Sequence, residues 1–156
     1  MLTKRELAEQ FFLQGYNCAQ SVFLAFAEEM GLSLDQAALI SGGLGGGIGR
    51  MRELCGAIGG AVLAMGALNG YPGPSAPEQK GRLYGDIQSL IRAFEAKNGS
   101  HICRELLIAA GLDNAAATDP TPEQRTPEFY TRRPCGRLVG DGAELLEQYL
   151  RERGKL

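Results

Sequence analysis

Apolar residues recur at three- and four-residue steps along most of this chain, and no stretch alternates apolar with polar residues over a strand's length. Thr3 with Glu6 reads as a capping box, followed by Leu7, Phe11 and Phe12 at helical spacing, with Gly15 as the stop. Asn17 caps a second helix that starts at Cys18, carries Val22, Phe23 and Phe26 on its apolar side, and closes at Gly31. Ser33 and Gln36 form another capping box for a short helix, Leu34–Ile40. Gly42–Gly49 reads as a loop, and Arg52–Leu68 as a buried helix with Cys55 in its first turn. After the break NGYPGPSAP, Pro77 opens an amphipathic helix to Lys97, with Tyr84, Ile87, Leu90, Ile91 and Phe94 as its stripe. Asn98-Gly99 ends it, and Ser100 caps a helix with Cys103 in its first turn. Asp119 to Arg133 holds three of the seven prolines and predicts a long loop with at most one helical turn. Pro134-Cys135 opens a last element, and Ala143–Arg153 is an amphipathic helix. The pattern predicts an all-α, single-domain bundle over 1–156, with six or seven helices around a central glycine-rich one.

The centre of that pattern is Gly42–Gly70. Nine of the 22 glycines fall between Gly42 and Gly60. Glycine inside a helix costs roughly 0.5–1 kcal/mol relative to alanine, so such density around one cysteine implies closely crowded backbone. Gly56 and Gly60 make a GxxxG step, which lets a neighbouring helix or a second subunit approach closely; a homo-oligomer is one expectation.

Composition narrows the partners. A net charge of -2 and a pI near 5.5 do not favour nucleic acid or an anionic membrane. The longest uncharged apolar run, Leu54–Leu68, is shorter than the ~18–20 residues that span a bilayer, so membrane insertion is not expected. The N-terminus lacks the pattern of a signal peptide, which places the chain in a reducing cytoplasm and weakens a structural-disulfide reading of its cysteines. GGLGGGIGRM contains neither GxGxxG nor GxxxxGK[ST], so a nucleotide-binding loop is disfavoured.

Cys18, Cys55, Cys103 and Cys135 are far apart in sequence, with no C-x-x-C, yet each falls at a predicted helix start. Unpaired backbone N–H groups there favour the thiolate, which is both the nucleophile and the metal ligand. Four such sulfurs have three chemical uses: a dithiol/disulfide cycle, a Cys₄ zinc site, or an iron–sulfur cluster. The alternative is structural, with cysteines buried as small hydrophobes. Cys55 heads the central helix and is the sequence's candidate for the most reactive sulfur. His101, two residues before Cys103, is a candidate proton acceptor for a neighbouring thiol, or a third-plus-one ligand beside three sulfurs. Arg50 and Arg52 before Cys55, and Arg132, Arg133 and Arg137 around Cys135, would stabilise thiolates and hold an anionic substrate. Arg50 lies inside the glycine stretch and is the binding candidate among them.

CGAIGG at Cys55–Gly60 matches a CGAxxG motif, with one cysteine upstream, two downstream and a GxGR run at Gly47–Arg50. From Tyr16 to Gly136 this arrangement resembles the C_GCAxxG_C_C family, named for its cysteine pattern. The resemblance implies that the four characteristic cysteines are Cys18, Cys55, Cys103 and Cys135, and that the motif glycines are Gly56 and Gly59. It also implies redox activity, with a small-molecule or protein redox partner and a functional link to a membrane transporter. Zinc or an iron–sulfur cluster at the four cysteines is the cofactor expectation. The pairing of the cysteines stays open among three arrangements.

Overall fold

Three capping boxes set the first third of the chain. In the computed structural model, which describes residues 1–156, Thr3 and Glu6 cap α1 (Lys4–Leu13), Asn17 and Gln20 cap α2 (Cys18–Leu24), and Ser33 and Gln36 cap α3 (Leu34–Ser41). Each box satisfies N–H groups that the helix start would leave unpaired. A 3₁₀ turn at Gly42–Leu44 leads into the glycine loop. Then follow α4 (Gly56–Asn69), α5 (Pro77–Asn98), α6 (Cys103–Ala109), α7 (Pro127–Arg132) and α8 (Cys135–Glu152). The fold is all-α; its only extended pairing is one isolated antiparallel bridge, Leu54 with Ile102.

The helix α4 is apolar on nearly every side, and α2 and α8 pack directly against it. Small residues make this close packing feasible. A Cβ at Gly56 would lie 2.8 Å from the Cys18 Cβ, one at Gly60 would fall on the Ala19 carbonyl oxygen, and one at Gly142 of α8 would lie 2.9 Å from the Ala57 carbonyl oxygen. The GxxxG step is therefore used within the chain, against α2. Around this triple contact lies one continuous apolar core, with Phe12, Phe23, Phe26, Ile58, Met65, Phe94 and Leu146 among its fully buried members.

The structure departs from the sequence reading in several places. There are eight α-helices, not six or seven, because Thr126 caps Pro127–Arg132 within the stretch read as loop. The second helix ends at Leu24 and continues as turns, short of Gly31. The central helix starts at Gly56, not Arg52; Arg52 lies before it in left-handed backbone. The last helix is continuous from Cys135, although Gly136, Gly140 and Gly142 argue locally against helix there. Packing overrides propensity, since a Cβ at Gly142 would press on the Ala57 backbone of α4. On α5 the buried stripe begins at Leu83, while Tyr84 faces solvent.

One buried charge ties the ends of the bundle. Asp141 in α8 is 1 % exposed and takes Arg5 of α1, with Lys97 of α5 at 3.0 Å. Burial pushes its carboxyl upward, but the hydrogen bonds from Arg5 and Lys97 together hold it below the ordinary carboxylate range. The stabilisation is thus present at neutral pH and lost as pH falls through that depressed value. Asp141→Asn is expected to cost about 1–3 kcal/mol at pH 7 and to lower Tm by several degrees, with the deficit shrinking in acid. Thermal melts at neutral and acidic pH test this; equal melting of both proteins at pH 7 would contradict it.

Candidate functional site

Each cysteine opens a helix. Cys18, Cys103 and Cys135 are the first residues of α2, α6 and α8, and Cys55 is the N-cap of α4. Because α2 and α8 both lie on α4, three of these helix starts come together. The fourth is brought in by the bridge: the Cys55 N–H donates to the His101 carbonyl (2.8 Å) and the Cys103 N–H to the Glu53 carbonyl (2.6 Å). All four cysteines line a single cavity of about 30 Å³, room for about one water molecule.

The glycine loop closes over this cavity by turning left-handed. Gly46, Gly47, Ile48, Gly49 and Arg50 all have positive φ between 55° and 74°, and Arg52 has φ 61°. For the non-glycine residues this costs roughly 1–2 kcal/mol each. Backbone hydrogen bonds hold the turn, among them Gly49 N–H to the Gly43 carbonyl (2.8 Å) and Glu53 N–H to the Gly47 carbonyl (2.9 Å). Gly47 lies so close to the site that a Cβ there would be 2.6 Å from the Cys103 Cβ. The turn places Arg52 in the lining of the cavity and Arg50 in that of the space just outside it.

A second, open pocket of about 330 Å³ lies outside the cavity, and Cys18 and Cys135 line both. Four guanidiniums line the outer pocket: Arg50, Arg52, Arg125 and Arg133. Glu123 is the one carboxylate in its lining, and it is shared by Arg133, Arg50 at 3.4 Å and Arg52 at 4.0 Å. Arg125 is held by the carbonyls of Phe12 (3.2 Å) and Tyr16 (3.0 Å), and it stacks over the rings of Phe12 and Phe129 at 4.6 and 4.7 Å.

These surroundings divide the sulfurs. The Cys135 thiol is lowered, first by its neighbour Cys18 and, against burial, by Arg133 and Arg125. Cys18 is raised well above its ordinary value because its proton is held by Cys135 and because it is buried. Burial pushes Cys55 up to about 12, outweighing the helix-start N–H groups of Ala57 and Ile58. Burial also raises Cys103, with Arg52 beside it pulling the other way. The surroundings therefore favour ionisation at Cys135 and oppose it at Cys55, the sulfur the sequence singles out.

The structure brings together Cys18, Cys55, Cys103, Cys135, Arg50 and Gly56, but not the ring of His101. Its imidazole Nδ1 pairs with Glu95 of α5, and only its backbone carbonyl serves the site. Gly59 faces Leu44 and Leu54 at ordinary contact distance, away from the sulfurs. Arg132 and Arg137 are exposed and pair with Glu128 and Asp141. No three of the Cys, His, Asp and Glu side chains stand in an arrangement that could ligate a metal ion. The sequence reading missed Arg125, Glu123 and Phe129, all within or beside the proline-rich loop. The hint available was one glutamate and one arginine among prolines and threonines, too little to place them.

No helix is long and apolar enough to cross a membrane. Comparison with curated proteins and comparison with solved structures each return no match. One family model matches, over residues 16–149, taking in all four cysteines and the CGAIGG segment. The chain accordingly belongs to the C_GCAxxG_C_C family, whose description is "Putative redox-active protein".

Proposed function

We propose that this chain is a dithiol redox protein in which Cys135 is the attacking sulfur and Cys18 resolves. The observation that carries the reading is that Cys18 and Cys135 line both the inner cavity and the outer pocket, with the Arg133 guanidinium lining both beside them. Take a disulfide RSSR as the oxidised partner. The Cys135 thiolate attacks one sulfur, forming a mixed disulfide and expelling RS⁻. Cys18 gives its proton to that leaving thiolate, then attacks the Cys135 Sγ. The protein disulfide forms, the second RS⁻ leaves, and two electrons have passed to the substrate. A low-potential dithiol reverses the cycle. Cys55 and Cys103 line the far side as protonated thiols. The reading sets the protein in a reducing compartment such as the cytoplasm, where the pair starts reduced.

The test is mild oxidation of the reduced protein with diamide, followed by peptide mapping. The expected product carries a Cys18–Cys135 bond. A product in which Cys18 and Cys135 remain free defeats the reading. Anaerobic purification with metal analysis accompanies it, since stoichiometric zinc or iron protecting all four thiols would put a metal-binding module in its place.

A further inference from the structure

The outer pocket holds more positive charge than a dithiol site needs. Cys135 is already served by Arg133 and Arg125. Arg52 is a different case. It is 2 % exposed, it lies beside the Cys103 thiol in the inner cavity, its Nε donates to the Ala117 carbonyl at 3.0 Å, and its Nη2 has no hydrogen-bond partner. The nearest carboxylate oxygen, on Glu123, is 4.0 Å away and already holds Arg133 and Asn114. A buried guanidinium with an unmade hydrogen bond is costly, and strained left-handed backbone maintains it there. Arg50 stands on the same strained turn and lines the same pocket, its other partners being Asp119 and Glu123 at the rim. Both features are accounted for if an anion completes the cluster. The pocket's volume, about 330 Å³, lies at the small end of the ~300–1,000 Å³ range of ligand pockets. Phe12 and Phe129 give it an apolar wall beside the charge.

Building on the dithiol reading, we propose that this pocket selects small anionic partners: thiols and disulfides that carry a carboxylate or similar anion, held at Arg52 and Arg50 with the sulfur presented to Cys135. Planar guanidiniums match carboxylates in paired hydrogen bonds, which fixes orientation as well as charge. The same groups disfavour cationic disulfides by like-charge repulsion.

Two chromogenic disulfides separate the claims. 5,5′-Dithiobis(2-nitrobenzoate) carries two carboxylates, and 4,4′-dithiodipyridine is neutral at pH 7. With either, Cys135 attack releases one thiolate chromophore and Cys18 attack releases the second. The quantity read is the ratio of rate constants, anionic over neutral, relative to the same ratio for N-acetylcysteinamide. The native protein is expected to exceed that reference by about tenfold or more, as for other charge-steered encounters. Arg52→Gln is expected to cut the excess at least fivefold, and Arg50→Gln to cut it less. Sulfate is expected to slow the anionic probe more than chloride does at equal ionic strength, with no such difference for the neutral one. Should Arg52→Gln fail to fold, Arg50→Gln and the sulfate competition decide. A ratio equal to the reference, or one unmoved by both substitutions and by sulfate, overturns the proposal while leaving the dithiol intact. Absence of reaction with both probes overturns the dithiol reading itself, and the anion proposal with it.

Discussion

Cys135→Ser is expected to slow alkylation of the folded protein by iodoacetamide at pH 7 at least tenfold. A thiol lowered from its ordinary value carries more thiolate at neutrality, the ionised fraction rising about tenfold for each unit of lowering. The gain is smaller than that ratio, because a thiolate loses intrinsic nucleophilicity as its pKa falls. The direction of the pH profile follows from the same lowering. In the native protein the rate climbs with pH through the lowered Cys135 midpoint and levels above it; without Cys135, Cys18 loses the first cause of its elevation but keeps that of burial, Cys55 and Cys103 stay raised by burial, and the remaining thiols react chiefly in alkali. Cys18→Ala is expected to move the Cys135 midpoint upward, since the Cys18 proton is the first cause of its depression. Peptide-resolved mass spectrometry from about pH 5 to 10 reads all of this. Preferential labelling of Cys55, or a lowered midpoint that survives Cys135→Ser, would contradict the assignment.

Gly47→Ala is expected to remove about 2–5 kcal/mol of stability, a large share of the ~5–15 kcal/mol typical of a folded domain. The residue has φ +74°, and a Cβ there would lie 2.6 Å from the Cys103 Cβ, 2.7 Å from the Arg52 Cα and 2.7 Å from the Glu53 nitrogen. Left-handed backbone costs an L-residue ~1–2 kcal/mol, and overpacking adds ~1–3. None of the three atoms is the free end of a flexible side chain. Gly43→Ala is the control, since no atom lies within 4 Å of its Cβ position and its φ is not positive. Urea denaturation compares the two. Equal midpoints would show that the loop does not depend on crowding at Gly47.

What could be read from the sequence, and what could not, divides by range. Thr3 with Glu6 and Ser33 with Gln36 are legible because a cap is a contact between residues three apart. The placement of four cysteines at helix starts is legible for the same reason, and it brings their gathering within reach. Which sulfur ionises is not legible. The helix-start argument treats all four alike, while the neighbouring Cys18 and the guanidiniums of Arg133 and Arg125 outweigh burial at Cys135, and burial prevails at Cys55. Arg125 reaches the site from a loop with no periodicity, by carbonyls of Phe12 and Tyr16 more than a hundred residues earlier. Arg52 falls within the helix that the sequence predicts over Arg52–Leu68, whereas its observed φ of 61° is held by hydrogen bonds that local pattern does not anticipate. Glycines hide the first half of α8 in the same manner, because what they accommodate belongs to α1 and α4.

The distance along the chain between Cys18 and Cys135 has a thermodynamic consequence. A covalent link there would join points well over a hundred residues apart and enclose most of the polypeptide in one ring. In the chain-entropy account, closing a ring of about 100 residues takes some 4.7 kcal/mol from the conformational freedom of the denatured ensemble. Electron transfer would therefore also set resistance to heat and proteolysis, with the oxidised protein the hardier form and each reduction loosening the whole molecule.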